Sequence, residues 1–68
     1  MKKWCGIKQS VFRRSKYQVI VPMVKDFISD DMMIHNPEVS GRALTKWLTL
    51  EEAKTACMEF NALHEKYN

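Results

Sequence analysis

No acidic residue precedes Asp26 in this chain of 68 residues. Lys2, Lys3, Lys8, Arg13, Arg14, Lys16 and Lys25 all come first, so the front of the chain carries +7 and the remainder −4, giving the net +3. A leading segment of 25 residues without side-chain carboxylates implies a polyanion or an acidic protein surface as partner. Glycine and proline are scarce, with two of each. That leaves no glycine-rich loop to cradle a phosphate. The two cysteines, Cys5 and Cys57, lie far apart and form no C-x-x-C pair, which argues against a zinc site. Two free, mostly buried thiols in a reducing cytosol fit this usage, whereas one disulfide tying strand to helix would need an oxidising compartment. No run approaches the roughly 20 apolar residues of a membrane span. The opening MKKWCGIKQ also lacks the apolar stretch of a signal peptide. A soluble protein without a membrane partner is expected.

Catalytic sets are missing as well. Cys57 and His64 fall on one helical face, but seven residues at 1.5 Å each put them roughly 10 Å apart along the axis, too far for a nucleophile–base dyad. Asp30 and Asp31 are adjacent and would point to opposite faces of a strand. With no convergent titratable group the chain reads as non-enzymatic, with no metal and no cofactor.

What is present is a small α+β pattern, read as one domain over 1–68. A domain of this size buries only about 60% of its unfolded surface, leaving no room for a deep cleft beside a core. Strands are expected at about 2–9, 16–22 and 42–48, with a short one at 32–35. Tyr17, Val19 and Val21 alternate with Gln18 and Ile20 and are β-branched or aromatic. Gly6 within the first strand suggests a bulge or a close backbone approach. SVFRRS reads as a basic hairpin tip, NPEVSG as a turn, and MVKDFISDD is ambiguous. A helix over about 50–66 is the firmest element. Thr49 can cap it by accepting the amide of Glu52, while the Glu52 carboxylate reaches back to the amide of Thr49. Leu48 is placed to staple onto Ala53. Leu50, Ala53, Ala56, Cys57, Phe60, Leu63, His64 and Tyr67 form its apolar stripe, with Phe60 expected at the centre of the core. The whole is a small antiparallel sheet of three or four strands packed on one C-terminal α-helix.

The order WCGIKQ, then SKYQVIV, then a strand entering WLTLEEAKTA resembles the plant ethylene-response-factor DNA-binding domain, whose relatives occur in phage integrases and homing endonucleases. Gly6 to Gln9 match that family's first strand, Lys16-Tyr17 its second, and Thr49, Glu51, Glu52 and Ala53 its helix entry. The match leaves out 23–41. The resemblance implies three strands on one helix and DNA read by the outer face of the sheet. Lys8 keeps a basic residue at a contact position. Cys5, Ser10, Ile20, Pro22 and Ala43 stand where the family places charged, polar or aromatic contacts. An outer apolar patch of Cys5, Ile20 and Ala43 would suit a protein partner better.

Two functions follow as expectations. The first is a small inhibitor or adaptor, of the kind phages encode against host or defence nucleic-acid-processing machinery, binding a larger protein or protein–nucleic-acid complex in the host cytoplasm. The alternative is a module that binds double-stranded DNA with the basic outer face of the sheet. The candidate partner-binding residues are Lys3, Trp4, Lys8, Arg13, Arg14, Lys16 and Gln18, where cations alternate with rings that stack or anchor. A homodimer is compatible with either reading.

Overall fold

In the computed structural model the described residues are 4–23, 33–34 and 40–67. Four strands and one helix follow in order: β1 (Gly6–Gln9), β2 (Tyr17–Pro22), β3 (Met33–Ile34), β4 (Gly41–Ala43) and α1 (Leu50–Tyr67). The sheet order is β3-β1-β2-β4. β1, β2 and β4 are antiparallel neighbours. The short β3 pairs parallel with β1, so the sheet is mixed at that edge. The expected α+β architecture, a small sheet on one C-terminal helix, is the one observed. The ambiguous 24–32 and most of the expected NPEVSG turn lie outside the described residues.

Side-chain alternation sorts the sheet into two faces. Ile7 opposite Val19 and Gln9 opposite Tyr17 share the helix side, while Gly6, Lys8, Gln18 and Ile20 lie on the other. The core is the helix-side cluster of Cys5, Ile7, Val19, Ala53 and Cys57, with Trp4, Tyr17, Val21, Leu44, Leu48, Ala56 and Phe60 packed around it. Gly6 pairs with Ile20 in unbroken register, so the expected bulge is not there. A close backbone approach is seen at Gly41. A Cβ on Gly41 would come within 2.6 Å of the Val21 carbonyl oxygen and 3.0 Å of the Pro22 Cα, both backbone atoms.

Two sequence expectations about the core need correction. The apolar stripe of α1 is narrower than its spacing suggests. Ala53, Cys57 and Asn61 form the buried row, Phe60 is half-buried, and Leu63 and Tyr67 are exposed. Small side chains at 53 and 57 let the helix axis sit close to the sheet, which leaves the Phe60 ring beside the contact and not under it. The outer apolar patch is not formed either. Cys5 lies on the helix side against Cys57, and Ile20, though outward, is only 2% exposed. Ala43 alone of the three is open to solvent.

Asn61 joins strand to helix. Its Oδ1 accepts the backbone N–H of Trp4 at 2.7 Å and of Cys5 at 2.9 Å, and its Nδ2 donates to the Cys5 carbonyl at 3.3 Å. These bonds replace a strand ladder just ahead of β1. Among the described residues every buried side-chain nitrogen and oxygen has a hydrogen-bond partner.

The helix starts as expected. The Thr49 hydroxyl accepts the Glu52 amide at 3.3 Å, and Glu52 Oε1 accepts the Thr49 amide at 3.2 Å and the Thr49 hydroxyl at 2.9 Å. Leu48 and Ala53 meet in one apolar cluster, as a staple requires. The Thr49 hydroxyl and amide hold the Glu52 carboxyl below its ordinary range. A group with a lowered folded-state pKa adds stability above its unfolded pKa and loses it as pH falls through the folded one. Thr49→Ala is therefore expected to cost about 1 kcal/mol at neutral pH. It should also flatten the decline of melting temperature on acidification. Parallel pH profiles for the two proteins would show that the cap does not form.

Candidate binding site at the hairpin tip

The β1–β2 connection is tied by its own polar atoms. Ser10 Oγ accepts the amides of Phe12 at 3.2 Å and Arg13 at 3.0 Å. The Ser10 amide donates to the Lys16 carbonyl at 2.9 Å, and the Lys16 amide to the Arg13 carbonyl at 2.9 Å. Gln9 Nε2 donates to the Arg14 carbonyl at 2.7 Å. A serine hydroxyl bonding the amides that follow it is the usual way such a turn is fixed. With its backbone satisfied, the loop sends Phe12, Arg13 and Arg14 into solvent. Phe12 is 96% exposed.

A second element reaches the same place. The strand expected over 42–48 ends at Ala43, with the Leu44 amide still donating to the Val19 carbonyl at 2.8 Å, and the chain rejoins β2 through a bridge between Leu48 and Tyr17. Five steps from Ala43 to Leu48 face three from Ile20 to Tyr17, so two residues are surplus and must loop out. Side chains fill the broken ladder. Thr45 Oγ1 accepts the Val19 amide at 3.2 Å, and the Thr45 carbonyl accepts Gln18 Nε2 at 2.9 Å. The Tyr17 and Leu48 amides then exchange bonds with each other's carbonyls at 2.7 and 2.6 Å. The excursion carries Trp47 out of the sheet to the hairpin tip, 46% exposed.

Ser10, Phe12, Arg13, Lys16 and Trp47 together line an open cleft of about 390 Å³. Two rings and two cations form its walls, and no carboxylate is among these lining residues. Lys16 also lies near enough to the start of α1 to favour the charged form of Glu52, after the Thr49 bonds and against burial.

The sequence candidates are divided by this geometry. Arg13, Arg14 and Lys16 gather at the tip, with Arg13 and Lys16 on the cleft itself. Lys8 is half-buried on the outer face, and Gln18 there has its amide committed to Thr45. Trp4 is at the far end of β1, its ring stacked on His64 with centroids 4.6 Å apart and planes at 3°. It seals the edge of the core. Lys3 lies outside the described residues. Ser10, Phe12 and Trp47 line the cleft but are absent from the sequence candidates. Thr45 following a strand-like run is the only local sign of the excursion, and a hydroxyl there is equally at home in a regular strand.

Among the described residues no group of histidines, cysteines and carboxylates could hold a metal ion. No helix among them is long and apolar enough to cross a membrane. Compared with known protein families, curated proteins and solved structures, the chain finds no match.

Proposed function

We propose that this is a non-enzymatic binding protein that docks the hairpin tip onto an acidic surface of a larger protein, as a small inhibitor or adaptor would. The observation that carries the reading is Phe12. It is an almost fully exposed ring on a hydrogen-bonded loop, with Arg13, Arg14 and Lys16 around it and Trp47 beside it. Nothing in the core requires a phenylalanine there. A ring anchor rimmed by arginines is the composition of interface hot spots. An ordered loop also loses little freedom on docking. Duplex recognition by the outer sheet face is the weaker reading. Of the candidate residues described on that face, Lys8 is the one cation, Gln18 is already bonded, and Ile20 is buried. A duplex-binding face needs several phosphate contacts and free donors for base edges.

The test compares the wild type with Phe12→Ala and with Arg13→Glu/Arg14→Glu in capture from nuclease-treated and untreated lysate. These residues are exposed, so both variants should melt within a few degrees of the wild type. Capture should survive nuclease and drop at least tenfold in each variant. For the charge-reversed protein the loss should fall mainly on the association rate, because rim charges steer encounter. Capture that vanishes with nuclease, with duplex affinity falling steeply as salt rises, would replace this reading with DNA binding.

A further inference from the structure

Cys5 and Cys57 meet across the sheet–helix interface with their sulfurs 3.7 Å apart, both in the reduced thiol form and fully buried. We propose that they are a site of reversible oxidative modification, closing an intramolecular disulfide that locks the start of β1 onto α1. A covalent S–S bond is about 2.05 Å long, so closure requires an approach of roughly 1.7 Å. The part that must move lies at the end of the sheet and is tied to the helix through the Asn61 side chain. Cys5 precedes the first ladder pair, Gly6 with Ile20, and among the described residues its N–H is held by the Asn61 side chain. The closed state keeps the Asn61 bonds to Trp4 and to the Cys5 backbone. It gives up bonds donated by the two thiols, those of Cys57 Sγ to the Cys5 carbonyl at 3.4 Å and of Cys5 Sγ to Asn61 Oδ1 at 3.4 Å and to the Cys57 carbonyl at 3.7 Å.

The folded reduced pair is guarded. The hydrogen bond to Cys57, and after it burial, push the Cys5 thiol above its ordinary range, and a protonated thiol is a poor nucleophile. Reaction therefore waits on local opening at the start of β1, which exposes Cys5 first. The oxidant is a small-molecule disulfide such as oxidised glutathione. Deprotonated Cys5 attacks one of its sulfurs and expels one glutathione thiolate, giving a mixed disulfide. Deprotonated Cys57 then attacks the Cys5 sulfur and expels the second. Two S–H bonds are lost and one S–S bond forms. The two protons and two electrons leave on two molecules of reduced glutathione. Because 52 positions separate the cysteines, the closed loop spans most of the chain and restricts the unfolded state strongly.

The test incubates the full chain with oxidised glutathione at 25 °C and again just below its melting transition, where opening is frequent. Samples are unfolded in guanidinium with iodoacetamide and weighed intact. The expected product is a monomer lighter by two hydrogens and free of alkylation. Its melting temperature should rise by on the order of 10 °C, and dithiothreitol should reverse both changes. Cys57→Ala should stop at one glutathione on Cys5. Two alkylated thiols, two glutathione adducts or disulfide-linked dimers at the higher temperature would overturn the proposal, because slow access no longer explains them.

Discussion

Asn61→Leu is expected to leave much of the protein unfolded at 37 °C. The substitution keeps the branched four-atom side chain and adds apolar surface, so a reading by hydrophobicity alone would have it stabilise. The bonds decide otherwise. Asn61 Oδ1 is the acceptor for the Trp4 and Cys5 amides, and the Cys5 end is buried. A leucine leaves both donors without it. Each orphaned buried group costs about 1–3 kcal/mol. The Trp4 amide is only partly buried and can find water, so the total should fall at roughly 2–4 kcal/mol. A domain of this size rarely has more than about 3–5 kcal/mol in hand. The measurement is guanidinium unfolding followed by tryptophan emission, since Trp4 lies beside the affected bonds. A loss below about 1 kcal/mol would mean that water replaces Asn61 without penalty and that the start of β1 is not held by the helix.

Asn61 also shows where sequence reading stopped. An asparagine between Phe60 and Ala62 in a helix reads as solvent-facing, and nothing local reveals that two amides wait above it. The helix start was legible because the capping box is a contact between near neighbours, Thr49 and Glu52. β2 was legible because its alternation and β-branching are local properties. β3 was expected as a short strand, but its parallel pairing with β1 depends on the whole path of the chain. The site divides along the same line. The cations at the tip announce themselves, since the turn could be built with cheaper residues. That Trp47 completes the cleft rests on a two-residue mismatch between β2 and the β4–α1 connection. A mismatch of register belongs to a pair of segments, so neither segment shows it alone.

Ile7→Ala should destabilise the protein more than Phe60→Ala, although it removes fewer atoms. Helical spacing places Phe60 mid-stripe and so at the centre of the core. In the fold the ring is half-buried, while Ile7 has no exposed surface and is, with Ile20, one of the two largest fully buried side chains described. Ile7 is flanked by β2 on one side and β3 on the other, with the Ala53–Cys57 row of α1 above it. Ladder bonds on both sides of β1 prevent the backbone from closing over a cavity. The cost should therefore lie high in the range of about 2–5 kcal/mol for such a truncation. A fully buried phenylalanine would cost about 3–5 kcal/mol, but a partly exposed ring has already kept part of its surface in water and should return less than that. Guanidinium melts of the two variants beside the wild type give the order directly. If Phe60→Ala proves the more damaging, the centre of the core lies towards the C-terminal half of α1. Small residues at 53 and 57 would then not be what brings the helix down onto the sheet.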